Sequence, residues 1–175
     1  MDSLNNYIHF IQEAEGLKCM TRTAWTSTGR RESTAEHSWR LALLAGLLLP
    51  AYPGLDAQRV LMLCLVHDLG EVYEGDISAA LRPDQEEKER QERAAVKRAA
   101  ASLPEKSGRE LCKLWEEYNA CETPEARLVK ALDKAETILQ HNQGANPPEF
   151  DYAFNLEYGK KYFEYDPLLR NLRAL

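Results

Sequence analysis

Several side chains in this 175-residue sequence break the helical hydrophobic pattern at positions where apolar residues belong. His37 precedes Leu41, Leu44 and Leu48 by 4, 7 and 11 residues, so it shares their inward face at the start of a helix. His67 follows Val60 and Leu63 by 7 and 4 residues, points inward at a helix end, and is followed directly by Asp68. Asp133 sits one turn after Val129 in a third helix with a strong apolar face. Two imidazoles and two carboxylates near the inner faces of three helices are costly unless paired, hydrogen-bonded or metal-bound, because burial strips a charge of its hydration. Each residue alone has a plain structural use, as a hydrogen-bonded core histidine or an Asp paired with Arg. The set, joined by Glu71, Gly75 and Asp76, is what asks for chemistry.

Helices must position these residues, and the sequence predicts helix almost throughout. Asn5 to Glu15 is a short amphipathic segment with Ile8, Ile11 and Gln12 at helical period, whereas Gly16 to Arg31 loses the period and reads as an ordered loop. Ser33-Thr34-Ala35-Glu36 is a capping box opening a helix that stops before Pro50. Asp56 caps the next, which ends near Asp68. Asp84 to Ala101 is a charged helix with Glu86–Arg90 and Glu89–Arg93 at i,i+4 spacing, and another spans Glu105 to Ala120. Thr123-Pro124-Glu125 starts a helix carrying Leu128, Leu132, Ala135 and Leu139 along one face to about Gln143-Gly144. A further helix is expected around Tyr152 to Phe163, and a last turn or two after Asp166-Pro167. With no alternating strand pattern, repeat or linker, the expectation is an all-α single domain over 1–175.

Composition narrows the partners. A formal charge of −6, from 28 acidic against 22 basic residues, disfavours a nucleic-acid polymer but leaves room for a small anion held by local cations. The longest uncharged run, Leu41 to Leu55, is broken by Pro50 and Pro53 and is too short to span a membrane. Met1-Asp2-Ser3 lacks the basic start of a secretion signal. The four cysteines, with no Cys-x-x-Cys, read as free thiols of a reducing, cytoplasmic compartment.

The pattern His37…His67-Asp68…Asp133 resembles the HD superfamily of metal-dependent phosphohydrolases, and within it the small 5′-deoxynucleotidases. The likeness rests on Glu32-Ser33-Thr34-Ala35-Glu36-His37-Ser38, on the block His67 to Ile77, on Trp115-Glu116-Glu117-Tyr118 and on Leu128 to Glu136. It spans about residues 5–140, with 145–175 expected to pack on that part. The resemblance implies a helical bundle whose core holds one divalent transition ion per chain on His37, His67, Asp68 and Asp133. Mixed nitrogen and oxygen ligands suit Mn²⁺, Co²⁺, Fe²⁺, Ni²⁺ or Zn²⁺. It further implies that Glu71 activates the attacking water, that Asp76 meets the sugar or assists proton transfer, and that Arg22 clamps the phosphate. Bacterial members place a Trp directly after this Arg; here that position is Thr23 and the Trp is Trp25, the spacing of the eukaryotic-type branch and a second substrate-contact candidate. No histidine lies between Leu69 and Leu132, which favours a mononuclear site over the dinuclear HD enzymes. His9 and His141 are expected to serve surface or packing.

The expected activity is hydrolysis of the 5′-phosphate of a (deoxy)nucleoside monophosphate. Hydrolysis of an alarmone or nucleoside triphosphate, or a silent nucleotide- or metal-sensing module, are the competing readings. The resemblance also implies a homodimer, and Phe150, Phe154, Tyr158, Tyr162 and Phe163 are expected in the core rather than at an interface.

Overall fold

The computed structural model describes residues 2–73, 75 and 84–174. Its helices are α1 (Asp2–Ala14), α2 (Gly16–Cys19), α3 (Thr34–Leu48), α4 (Ala57–Val66), α5 (Gln85–Ala100), α6 (Glu105–Ala120), α7 (Pro124–Gln143), α8 (Phe154–Glu157) and α9 (Pro167–Ala174). Local chemistry starts them where expected. The Glu36 backbone N–H donates to Ser33 Oγ and the Ser33 N–H to Glu36 Oε2, closing the capping box of α3. Asp56, Asp84 and Thr123 accept from the first backbone N–H groups of α4, α5 and α7.

Helices α3, α4 and α7 pack on one another around Leu41, Val60, Leu63, Val129 and Leu132, all fully buried. A second core, centred on Trp115 and Val96, joins α2, α5, α6 and the 3-10 turn Leu69–Glu71. That turn lies against α5 with no room to spare, since a Cβ on Gly70 would meet Glu92 Cβ at 2.5 Å.

The expected loop over Gly16 to Arg31 is corrected. It contains α2 and a small antiparallel sheet of β1 (Thr21–Trp25) and β2 (Arg31–Ser33). The alternation was hidden because the inward positions of β1 are Arg22 and Ala24, only one of them apolar. The expected helix around Tyr152 to Phe163 is also corrected: Gly159, at φ +66°, separates the four-residue α8 from a 3-10 turn, Lys160–Phe163. Leu139 leaves the inward face and is 42% exposed, because the far end of α7 buries Thr137, Gln140 and His141 instead. Arg90 pairs with Glu87 rather than Glu86, while Glu89–Arg93 forms as expected. Among the described residues no helix is long and apolar enough to cross a membrane.

Candidate metal centre and active site

The three core helices bring the candidate ligands together. His37 lies in the first turn of α3, His67 follows the last residue of α4, and Asp133 projects from the middle of α7; all three are buried. His37 Nε2 lies 3.3 Å from His67 Nε2 and 3.2 Å from Asp133 Oδ1. Asp68 adds Oδ2 at 3.0 Å from His67 Nε2 and 3.8 Å from His37 Nε2, with its side chain 20% exposed. Bonds of about 2.0–2.2 Å to a divalent transition ion put neighbouring donors about 3.0–3.5 Å apart, so the spacing of His37, His67 and Asp133 fits one ion, with Asp68 standing close to His67 and further from His37.

His37, His67 and Asp133 are each braced from behind. His67 Nδ1–H donates to the Cys64 carbonyl at 2.8 Å, turning the Nε2 lone pair inward. His37 Nδ1 is bonded to Glu136 Oε2, whose other oxygen lies 2.8 Å from Arg40 Nε. Asp133 Oδ2 accepts from Tyr118 Oη and from Lys134 Nζ at 2.8 Å, which leaves Oδ1 facing the histidines. His37 Nε2, His67 Nε2 and Asp133 Oδ1 face one another with Asp68 alongside, a mixed nitrogen and oxygen donor set of the kind that suits a divalent transition ion.

Titration follows the same logic. Burial and the nearby Arg22 push the His37 imidazolium down, but bonds to Asp133 and Glu136 outweigh them and raise its pKa to about 9. Burial pushes the Asp133 carboxyl up, yet Lys134 and the two histidines hold it well below the carboxylate range. Asp68 is lowered too, by His67 and then His37 against its burial. Lys130, nearly enclosed and beside Lys134, is pushed down to about 8.

His67, Asp68 and Asp133 line a cavity of about 720 Å³, with His37 fully buried behind them. Glu71, 5% exposed in the turn after α4, lines it beside Asp68 and accepts from Thr34 Oγ1 at 3.2 Å. Arg22 lines it from β1, its Nη1 donating to Glu32 at 2.9 Å and Nη2 to Thr137 Oγ1 at 3.1 Å. Trp25 is placed differently. Its ring meets Phe150 edge to face at 5.9 Å, its carbonyl accepts from Gln140, and it is not among the residues lining the cavity. Asp76 lies outside the described residues. His141, expected to serve surface or packing, is buried, bonded to Asn155 Oδ1 at 2.8 Å and packed edge to face on Phe150, and it also lines the cavity. Glu32, Glu136, Tyr118 and Lys134, which reasoning from sequence gave no role, hold Arg22, His37 and Asp133 in place. Glu136 did carry a signal, one turn beyond Asp133 on the same face.

Fold and site together define a helical HD protein, and the HD domain family matches residues 14–172: the chain belongs to that family. It is 38% identical over 140 residues to the 5′-deoxynucleotidase HDDC2 of Bos taurus, a match covering 79% of this chain and 67% of that protein. The Homo sapiens 5′-deoxynucleotidase HDDC2 is likewise 38% identical, over 78% of this chain and 67% of its own. Among solved structures, a "predicted metal-dependent phosphohydrolase" from Magnetospirillum magnetotacticum MS-1 superposes with a TM-score of 0.72 at 34% identity, covering 80% of this chain and 72% of that one.

Proposed function

We propose that this protein is a metal-dependent phosphomonoesterase that removes the 5′-phosphate of deoxynucleoside monophosphates. The observation carrying the proposal is the cluster of His37, His67 and Asp133 donors, with Asp68 beside them, next to a cavity that His67, Asp68, Asp133, Glu71 and Arg22 line. The names of the relatives above point to the same reaction. His37, His67, Asp68 and Asp133 would hold one divalent transition ion, which when bound supplies Lewis-acid polarisation of the phosphoryl group and acidifies water. Glu71, outside that set, positions the attacking water and takes its proton as the water oxygen bonds to phosphorus and the P–O5′ bond breaks, and a proton delivered to O5′ lets the nucleoside leave as its 5′-hydroxyl beside inorganic phosphate. Asp76 keeps its proposed part in sugar contact or in proton transfer. Arg22 reaches the phosphate from β1, and Trp25 supports that strand through Phe150 and Gln140.

A homodimer belongs to the same reading. Trp39, Leu43 and Leu47 recur every four residues along α3 and are 62%, 48% and 71% exposed, an apolar stripe suited to a second copy. Light scattering reads the mass directly.

A chelation and phosphate-release assay tests the activity. Chelator should abolish release from deoxynucleotides, and added Mn²⁺ or Co²⁺ should restore it. Glu71→Gln should keep the ion and lose roughly 10²–10⁴-fold in kcat. Full activity in chelator would refute the metal centre, and loss of the ion in Glu71→Gln would make Glu71 a ligand.

A further inference from the structure

One wall of the cavity comes from a segment that the ligand set, Glu71 and Arg22 leave unused. Phe154, the first residue of α8, and Tyr158, which follows its end, have ring centroids 4.7 Å apart with planes inclined by 32°. Both are half-buried and both line the cavity. Phe163, a few residues on, behaves otherwise: it is 2% exposed and belongs to the main core. The segment therefore commits Phe163 to packing, while Tyr162 both packs on that core and reaches the cavity; Phe154 and Tyr158 line the cavity as a pair of rings in mutual contact.

Two contacts relate this ring pair to the metal centre. Lys134 Nζ donates to Tyr158 Oη at 3.1 Å and to Asp133 Oδ2 at 2.8 Å, so one ammonium separates the tyrosine hydroxyl from a candidate ligand. The turn carrying Tyr158 also closes on the stem of that lysine. Gly159 sits at φ +66°, and a Cβ there would lie 2.5 Å from Lys134 Cγ, so only glycine satisfies both the backbone and the contact. The rings are thus registered against Asp133 through Lys134.

We propose that Phe154 and Tyr158 form the platform on which the nucleobase of the substrate stacks. This rests on the nucleotidase reading above. A nucleoside 5′-monophosphate bound by its phosphate at the ligand set carries its base one sugar further out. The Tyr158 hydroxyl lies one ammonium away from Asp133, and its ring is in contact with Phe154 along the cavity wall. An aromatic face suits that position because stacking needs only the π-surface that every base has. A ligand consisting of phosphate alone makes no use of the two rings.

The test compares dAMP with 2-deoxyribose 5-phosphate, the same ester without a base, on the metal-loaded protein. Phe154→Ala should raise KM for dAMP about tenfold with kcat near the parent value, and the dAMP to 2-deoxyribose 5-phosphate ratio of kcat/KM should fall by the same factor. Phe154→Leu keeps apolar bulk but loses the ring, so the same direction of change there separates stacking from collapse of the segment. An unchanged ratio in both variants, or equal losses on both esters, overturns the platform. A parent protein that cleaves both esters equally well overturns it too, while leaving the phosphomonoesterase in place. A parent that cleaves neither removes the nucleotidase reading and the platform together.

Discussion

The ligand set and the aromatic wall share one cavity but are built by opposite means. His37, His67 and Asp133 stand on the three helices that form the main core, each braced by a hydrogen bond from behind. Phe154 and Tyr158 stand on a four-residue helix and a turn, registered by one lysine and one glycine. Ligand geometry must hold to fractions of an ångström, and long packed helices supply that rigidity. A stacking surface tolerates small shifts and can be carried by short, surface-side structure. The contrast predicts that the two regions fail separately.

Asp133→Ala should cause the largest effect. It removes a ligand and withdraws a partner of half-buried Lys134 and buried Tyr118, so the bound ion and all phosphate release should vanish. Breaking such a buried pair costs about 3–5 kcal/mol, and a lowered Tm beside elemental analysis checks both halves. An ion retained at parental stoichiometry would show that Asp133 is not a ligand.

A smaller effect, confined to the ligand side, follows from pH. His37 must give up its Nε2 proton to bind an ion, and its pKa in the ion-free fold is raised from 6.5 to about 9. Below about 9, apparent ion affinity should fall about tenfold per pH unit, measurable by metal titration at successive pH values. The sign for the ion-free fold is opposite. A raised pKa stabilises it fully below 6.5, and that contribution is lost as pH rises through about 9. Ion affinity that is flat across this range would contradict the assignment.

The smallest effect should come from the wall. Gly159→Ala forces a strained left-handed residue against the Lys134 stem, at a cost of roughly 1–3 kcal/mol. KM for deoxynucleotides should rise several-fold while elemental analysis still finds the ion. Loss of the ion in this variant would mean that the two regions are one unit.

Much of the ligand side was legible in the sequence and little of the wall was. His37, His67 and Asp133 could be read as inward because helical period is a property of neighbouring residues, and capping residues such as Ser33 and Thr123 mark where each helix starts. The strand that carries Arg22 shows no apolar alternation, because one of its inward positions is taken by a partly buried arginine. Phe154 and Tyr158 gave only an apolar pattern, for which the core was the expected place; reaching a cavity depended on Gly159 meeting Lys134 across a distance in sequence that no local pattern records.

By itself, then, the sequence determined which side chains leave solvent, because 3.6-residue periodicity and capping are decided within a turn or two of chain. Tertiary structure alone decided which atoms of those side chains meet. His37 presents Nε2 because Glu136, 99 residues away, holds Nδ1, and Asp133 presents Oδ1 because Tyr118 and Lys134 occupy Oδ2. Hydrogen-bond direction is a property of the pair, and these pairs exist only once separate helices are packed.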